Sequence, residues 1–373
     1  MREQQKTPVD ITIKISDFDY NLPPELIAQT PLEHRDSSRL LVLNRSSGAL
    51  EHRHFRDIGE YLHPGDLLIA NQSRVIPARL LGHRAQNVVA PLVGARLFEV
   101  LLLAERRDLG PHYWETLVRP GRRLHEGDQI VFRDETGLNL TLHAEILQRT
   151  AAGGRIVHFF APTSTSLTVP QLIDQLGQMP LPPYIHETLT DPERYQTVYG
   201  RIRGSAAAPT AGLHFTPHLL EQLHRQGVRM DFVTLHVGLD TFRPIEGEDV
   251  SEHKMHSEEI ELDASTVELI SETRKAGNRV IAVGTTSVRV LESVASMYHG
   301  HVEPYKGRTR LFITPGYHFQ IVDAMITNFH LPRSTLLLLV SAFAGKALIE
   351  KAYQEAIRER YRFYSFGDAM LIL

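Results

Sequence analysis

The chain is predicted to fold as a mixed α/β main domain that carries an inserted small antiparallel β-barrel. Two textures predict this. Between about Ala78 and Phe160 the sequence runs through short strand-like segments, LFEVLLLAE, YWETLVRP, DQIVF, LNLTLHAEIL and GRIVHFF, separated by turn signals such as DETG and AAGG, and such spacing suits a small barrel. Beyond Phe160 helical and strand-like segments alternate, which is the pattern of an α/β domain. Residues 1–77 and 160–373 are therefore assigned to a discontinuous main domain and residues 78–159 to the barrel. With 373 residues, 42% of them hydrophobic, the chain has enough apolar material for two ordinary domains.

Taken in order, DFDYNLPPELIAQ places aspartate and proline ahead of an apolar turn and predicts a helix start. YLHPGDLLIA, Tyr61 to Ala70, is a Pro-Gly turn feeding a hydrophobic strand. After the barrel, Thr216 and Pro217 form an N-cap with proline in the first helical position, LLEQLHRQ is the helix and Gly227 its stop. MDFVTLHV then reads as a buried strand and ASTVELISETRKAG as a helix ended by glycine. RVIAVG is the next strand and TTSVRVLESVA the helix it feeds, with further mixed elements towards the terminal YRFYSFGDAMLIL.

Composition removes several functions. There is no cysteine, which excludes disulfides, cysteine nucleophiles and thiolate zinc sites and is compatible with a reducing compartment. MREQQKTPVDITIKI has no signal-peptide core, and LLLLVSAFAG from Leu336 is too short to span a bilayer, so a cytoplasmic protein without a membrane partner is expected. The net charge of −4 argues against a general polyanion-binding coat but leaves room for a local basic patch. Of 40 basic residues 33 are arginine and 7 lysine. The planar guanidinium suits phosphate and stacked bases, although an arginine-biased genome explains the same count.

Four stretches have the residue types of a site. AAPTAGLHFT, Ala207 to Thr216, fits neither a helical nor a strand period; its small residues let backbone approach a ligand. AVGTTSVRVLES, Ala282 to Ser293, ends a strand at Gly284 and opens a helix with Thr285, Thr286 and Ser287, whose free N–H groups and hydroxyls suit a carboxylate or phosphate. An ordinary capped helix would read the same. LHVGLDTFRP, Leu235 to Pro244, puts His236 near a strand end and Asp240, Thr241 and Arg243 in the loop beyond, while a structural strand histidine remains the alternative. In VDAMITNFHLPRSTLLLLVSAFAG, Val322 to Gly345, Asn328 and His330 end an extended segment, Pro332 blocks helix continuation and Ser334 caps the helix that follows. Capping accounts for Ser334 and leaves His330 unexplained. His253 and His256, with Glu252 or Glu258 nearby, superficially resemble a metal site, but no motif fixes a third ligand, and no metal is expected. The absence of a Walker lysine motif and of G-x-G-x-x-G disfavours P-loop ATP binding and the dinucleotide fold.

Together with DFDYNLPPELIAQTPLEHRDSSRLLVLNR, MPLPPYI, HKMHSE and YRFYSFGDAMLI, these four stretches closely resemble the S-adenosylmethionine:tRNA ribosyltransferase-isomerase family of queuosine biosynthesis, over nearly the whole chain. The resemblance implies an α/β domain with a barrel insertion. It also implies transfer and isomerisation of the ribosyl moiety of S-adenosylmethionine onto the aminomethyl group of 7-aminomethyl-7-deazaguanine at the tRNA wobble position. Epoxyqueuosine forms, adenine and methionine leave, and S-adenosylmethionine is consumed as a substrate with no separate cofactor. The partners implied are tRNAs with a GUN anticodon, those for aspartate, asparagine, histidine and tyrosine, acted on by a protein expected to be monomeric. Two rival readings are a non-catalytic tRNA-binding protein and an S-adenosylmethionine-dependent enzyme with another acceptor.

Such a reaction starts by removing a ribose C5′ proton acidified by the sulfonium, for which a histidine is a suitable base. His214 is the first candidate, followed by His236 and His330. Thr285, Thr286 and Ser287 are expected to hold the substrate carboxylate. Thr210, Gly212, Phe215, Arg243, His256 and Asn328 complete the expected substrate contacts, with Ala207, Ala208, Ala211 and Gly212 lying against the nucleoside or the inserted base. Arg119, Arg122 and Arg123 in VRPGRRL, and Arg201 and Arg203 in YGRIRGS, are expected to contact tRNA phosphates, and the modified base to leave the anticodon stack. The chain departs from the family pattern at Asp240, where glycine is usual, at Ala206, where valine is commoner, and in a longer Arg84–Arg96 segment.

Overall fold

The computed structural model describes residues 13–85, 97–134, 140–150, 153–238, 247–253, 255 and 257–373. In chain order the strands before the barrel are β1 (Arg39–Leu43), β2 (Leu50–His54), β3 (Leu67–Asn71) and β4 (Ser73–Val75). The barrel strands are β5 (Arg79–Arg84), β6 (Phe98–Glu105), β7 (Tyr113–Arg119), β8 (Gln129–Arg133), β9 (Thr141–Arg149) and β10 (Arg155–Phe160). Then follow α1 (Val169–Leu176), β11 (Ile202–Ser205), α2 (Pro217–Arg225), β12 (Arg229–Leu235), β13 (Glu258–Leu262) and α3 (Ala264–Lys275). The chain ends with β14 (Val280–Val283), α4 (Thr285–Met297), β15 (Tyr305–Thr309), β16 (Ala324–Asn328), α5 (Thr335–Ala344), α6 (Lys346–Arg358) and β17 (Ala369–Ile372).

The main sheet has nine strands in the order β15-β13-β12-β3-β14-β16-β17-β1-β2. Its centre, β12-β3-β14-β16, is parallel. Strand β3, LLIAN, is buried along its whole length, because both faces of a parallel centre are covered by other layers. Leu67 and Ile69 pack with α3, α4, α5 and α6, whereas Leu68 and Ala70 face Phe55, Ile58 and α2 on the other side. The segments that stood out in the sequence leave the carboxyl ends of these strands: His236 follows β12, Gly284 follows β14, and Asn328 to His330 close β16. Ligands of open α/β sheets bind at that edge.

The inserted unit is a closed antiparallel barrel in the order β10-β7-β6-β5-β8-β9. Alternate residues fill it, among them Leu80, Val100, Leu102, Phe132, Leu142, Ile146, Val157 and Phe159. Helix α1 adds Leu172 and Ile173 to the same core, so the packing unit extends past the last barrel strand.

Sequence and structure differ in two local places. DFDYNLPPELIAQ forms short 3-10 turns at Ile15–Phe18 and Pro24–Leu26, with no α-helix. Proline is tolerated at a helix start, but beyond Leu26 the chain runs extended and pairs with the C-terminal segment instead: Phe363 N donates to the Leu26 carbonyl at 2.8 Å and Ala28 N to the Phe363 carbonyl at 3.2 Å, so those backbone groups are not available to continue a helix. Strand β5 was not anticipated. Gly82 interrupts its pattern because a Cβ there would meet Phe132 and Ile130 side chains at 2.7 and 2.8 Å.

Candidate active site

Two adjoining cavities lie at the carboxyl edge of the parallel strands. The smaller, of about 60 Å³, is lined by Ala208, Thr210 and Ala211 from the irregular stretch, Gly284, Thr285 and Thr286 at the start of α4, and Asn328 and His330 beyond β16, with Tyr184 and Tyr364 closing it. Gly284 makes the strand-to-helix corner at φ +86°, a backbone region that glycine enters without a Cβ penalty. The larger, a cleft of about 730 Å³, lies between the sheet and the barrel; the barrel gives it Glu105, Arg107, His112 and Trp114, and the main domain gives it Arg203, His236, Arg289 and Arg310. Leu336 lines both, and Val237 of the smaller cavity sits between His236 and Gly238 of the larger.

The hydrogen bonds define what the small cavity can accept. Asn328 Nδ2 donates to the Tyr364 carbonyl at 3.0 Å and to His214 Nε2 at 3.3 Å. Its Oδ1 therefore points elsewhere, buried and without a partner. Thr286 Oγ1 is likewise buried and unpartnered. An orphaned acceptor beside a free hydroxyl calls for a hydrogen-bond donor on the ligand, such as a ribose hydroxyl or an amine. A carboxylate, which only accepts, would face Asn328 Oδ1 unfavourably. Of the three hydroxyls expected to bind one, Ser287 Oγ donates to the Val283 carbonyl at 2.8 Å and does not line the cavity.

His214 stands behind that wall, outside the lining of either cavity. Its Nδ1 meets Ser38 Oγ at 2.7 Å, its Nε2 accepts from Asn328, and its ring stacks on Phe55 at 4.9 Å. Burial, reinforced by the Arg35 and Arg362 guanidinium groups, pushes its pKa down to about 3. The ring is thus neutral, with Nδ1 donating to Ser38, and both nitrogens are committed. This geometry makes His214 the orienter of Asn328 and differs from the base expected from sequence. Phe215 and Gly212 also pack away from the cavity: Phe215 is fully buried edge-on to Phe55, and a Cβ on Gly212 would lie 2.0 Å from Tyr199 Oη. The expectation that Gly212 is small to admit a ligand is therefore corrected, since its missing side chain makes room for Tyr199 in the core.

His330 does line the small cavity. Thr327 Oγ1 holds its Nε2 at 2.7 Å, and its Nδ1 makes no hydrogen bond to a described residue. Burial alone pushes its pKa down to about 3. His236 lies in the cleft with a buried, unpartnered Nδ1, its pKa lowered mainly by burial. Its ring rests on Gly204, where φ is +136° and a Cβ would come within 2.9 Å.

The arginines divide. Arg119, Arg122 and Arg123 are exposed around one barrel turn and form no ion pair with a described residue. Arg201 donates to Gln72 Oε1 at 2.5 Å and lies over Phe232, and Arg203 pairs with Asp174. Arg243 and His256, like Asp240, Thr241 and residues 86–96 of the longer segment, lie outside the described residues. His253 lines the cleft edge-on to Phe312. Among the described residues, no group of three or more His, Asp or Glu side chains could hold a metal. Sequence reasoning missed Arg289, which is buried against Glu258 in the cleft wall. The available signal was an arginine set between two valines in SVRVLES, on a helix buried on most sides.

Fold and site together define an α/β enzyme whose ligand cleft lies at the ends of parallel strands, with an inserted barrel as its facing wall. A sequence model described as queuosine biosynthesis protein matches residues 15–372. The chain is 56% identical over 361 residues to the S-adenosylmethionine:tRNA ribosyltransferase-isomerase of Symbiobacterium thermophilum, covering 97% of this chain and 100% of that protein. It is 53% identical to the protein of the same name from Moorella thermoacetica, with 97% and 100% covered. The crystal structure of S-adenosylmethionine tRNA ribosyltransferase from Thermotoga maritima superposes with a TM-score of 0.53 at 44% identity, over 96% of this chain and 100% of that one. The chain belongs to the queuosine biosynthesis family of S-adenosylmethionine:tRNA ribosyltransferase-isomerases.

Proposed function

We infer that the protein is an S-adenosylmethionine:tRNA ribosyltransferase-isomerase, which moves the ribosyl moiety onto the aminomethyl group of 7-aminomethyl-7-deazaguanine at the wobble position. The product is epoxyqueuosine; adenine and methionine are released. The observation that carries this reading beyond the names of relatives is the meeting of three sequence-distant stretches, Ala208–Ala211, Gly284–Thr286 and Asn328–His330, on one small cavity that opens beside an arginine-bearing cleft. The cleft has the size of an ordinary small-molecule site, and the cavity takes one polar edge of the nucleoside.

In this reading Asn328 Oδ1 and Thr286 Oγ1 receive ribose hydroxyls, with His214 and Ser38 holding Asn328 in orientation. His330 Nδ1, on the cavity wall with its Nε2 held by Thr327, is the base placed to remove the C5′ proton; burial weakens it as a base, so the step relies on the acidity that the sulfonium gives the C5′ hydrogens. Loss of adenine then leaves an electrophilic sugar for the tRNA amine. S-adenosylmethionine is consumed, so no further cofactor is needed. The tRNAs are those with a GUN anticodon, bound by a cytoplasmic monomer in which Arg119, Arg122 and Arg123 take phosphates. No helix among the described residues is long and apolar enough to cross a membrane.

The test is incubation of the purified protein with S-adenosylmethionine and tRNA carrying 7-aminomethyl-7-deazaguanine, followed by mass spectrometry of digested nucleosides and released small molecules. Epoxyqueuosine with equimolar adenine and methionine is expected. No product from folded, tRNA-bound protein would refute the assignment.

A further inference from the structure

The two cavities differ in electrostatic character, and the difference bears on where the charged end of the substrate goes. The small cavity offers an orphaned acceptor, Asn328 Oδ1. The cleft wall offers the opposite. Arg289 is only 6% exposed, and its Nη1 pairs with Glu258, itself 7% exposed. Its Nε and Nη2 are buried and have no partner. In a planar guanidinium Nε–H and Nη2–H lie on one edge, parallel and spaced to match the two oxygens of a carboxylate. Glu258 has thus taken one corner of the fork and left a complete bidentate edge vacant.

A buried cationic edge with both donors unsatisfied is costly unless a ligand completes it. Two further features favour a small oxyanion. Arg289 lies three residues after Thr286 on α4, so both side chains lie on neighbouring parts of one helix face, about 5–6 Å apart at Cβ. A ligand with its ribose at Thr286 therefore reaches Arg289 with its other end. Arg310, exposed on the cleft wall and without an ion-pair partner among the described residues, adds positive charge to offset the second carboxylate arriving beside Glu258. A backbone phosphate carries a ribose on each side and fits poorly against so enclosed a guanidinium, whereas a terminal carboxylate does not meet that obstacle.

We propose that Arg289, through its Nε/Nη2 edge, binds the α-carboxylate of the amino-acid end of S-adenosylmethionine, with Glu258 fixing the plane of the guanidinium. This rests on the reading that the sulfonium nucleoside is the substrate, and replaces the helix start at Thr285–Ser287 as the carboxylate seat. Arg289 is a binding residue, and Glu258 is a positioning residue.

The test is calorimetric binding of S-adenosylmethionine and of its decarboxylated analogue to the full-length protein, wild type and Arg289→Lys, with tRNA affinity measured in parallel. Lysine keeps a charge for Glu258 but lacks the fork. The wild type is expected to prefer S-adenosylmethionine over the analogue by on the order of 10- to 100-fold. R289K loses that preference by weakening only the carboxylate-bearing ligand, and tRNA affinity stays unchanged. Glu258→Gln, which retains an acceptor for Nη1, keeps the preference while shifting its size. Equal binding of the two ligands by the wild type overturns the proposal even if R289K fails to fold. Undiminished preference in folded R289K, or a loss confined to tRNA affinity, overturns it as well, the latter pointing to a phosphate. Binding needs no turnover, so the outcomes separate: carboxylate selectivity without epoxyqueuosine formation would refute the functional assignment alone, and turnover without selectivity would refute the role of Arg289 alone.

Discussion

Acidification should weaken the fold through two buried neutral histidines, and the size of the effect follows from their surroundings. His214 and His330 are each held to a pKa of about 3 by burial, from an ordinary value of 6.5. In the unfolded chain both rings protonate as pH falls through about 6.5, while in the folded protein they stay neutral until about 3. Over that window the unfolded state binds more protons, so stability rises with pH and is lost on acidification at about 1.36 kcal/mol per pH unit for each ring. At about pH 4.5, two units below the unfolded value, the loss is about 2.7 kcal/mol per histidine, or about 5 kcal/mol for the pair. That is comparable to the whole stability of many domains. Equilibrium urea unfolding near pH 7, about 5.5 and about 4.5, on wild type and His214→Gln, isolates one ring from the other titrating groups, including Asp66, whose lowered pKa acts in the same direction, and Asp368, whose raised pKa opposes it. The variant is expected to be less stable near pH 7, having lost the Ser38 and Asn328 contacts, yet to show a shallower dependence by about 1.4 kcal/mol per unit. An unchanged slope would mean that His214 is not held neutral, and the account of it as a fixed orienter would fall.

Three further outcomes follow from the same geometry. Gly212→Ala drives a methyl group into Tyr199 Oη and Thr197 Cγ2, so thermal unfolding should show a loss of about 1–3 kcal/mol, with nucleoside affinity of the folded fraction near wild type; intact stability with lost affinity would restore a ligand-facing role. His330→Gln should lower the turnover rate by about 100-fold or more with little change in S-adenosylmethionine affinity, whereas a purely structural residue would depress both through unfolding. Replacing Arg119, Arg122 and Arg123 together by glutamine should weaken tRNA binding at all anticodons and flatten the dependence of log affinity on log salt by up to about 2–3; an unchanged slope would place the phosphates elsewhere.

How much of this was legible in the sequence depended on what each signal measures. GTTS, NFH and the histidine of LHVG were readable because they interrupt periodic strands at their carboxyl ends, and chain topology gathers such ends on one edge. The barrel was readable from turn spacing, except for β5, where Gly82 removes the side chain that would have marked the pattern. Side-chain direction was not readable. His214 and Ala211 lie three residues apart in one run, yet Ala211 lines the cavity and His214 faces Ser38 behind it. The stretch forms one 3-10 turn, Thr210–His214, in which residues three apart share a side; Ala211 ends at its Cβ while the longer His214 ring runs on to Ser38 and Phe55, and no period precedes the turn from which a face could be assigned. Arg289 escaped for the converse reason. It lies within a regular helical pattern, and the significance of a charge there appears only when its burial and its one-sided pairing with Glu258 are known.

The division of volume between the two cavities gives the barrel a part in the chemistry. About 60 Å³ cannot contain a nucleoside, so a substrate anchored at Asn328 and Thr286 must extend past Leu336 into the cleft, where His112 and Trp114 of the barrel form the facing wall. These two residues flank Tyr113, whose ring stacks on His158 at 4.3 Å. Trp114 is mostly buried in the barrel core, and its indole Nε1 has no partner, leaving a donor near the cleft that the main domain does not supply. The smaller cavity is thus complete within the α/β domain, while the larger exists only where barrel and sheet face each other. Binding of the nucleoside's polar edge can be a property of the main domain alone, but enclosing a reactive sugar away from water requires both walls.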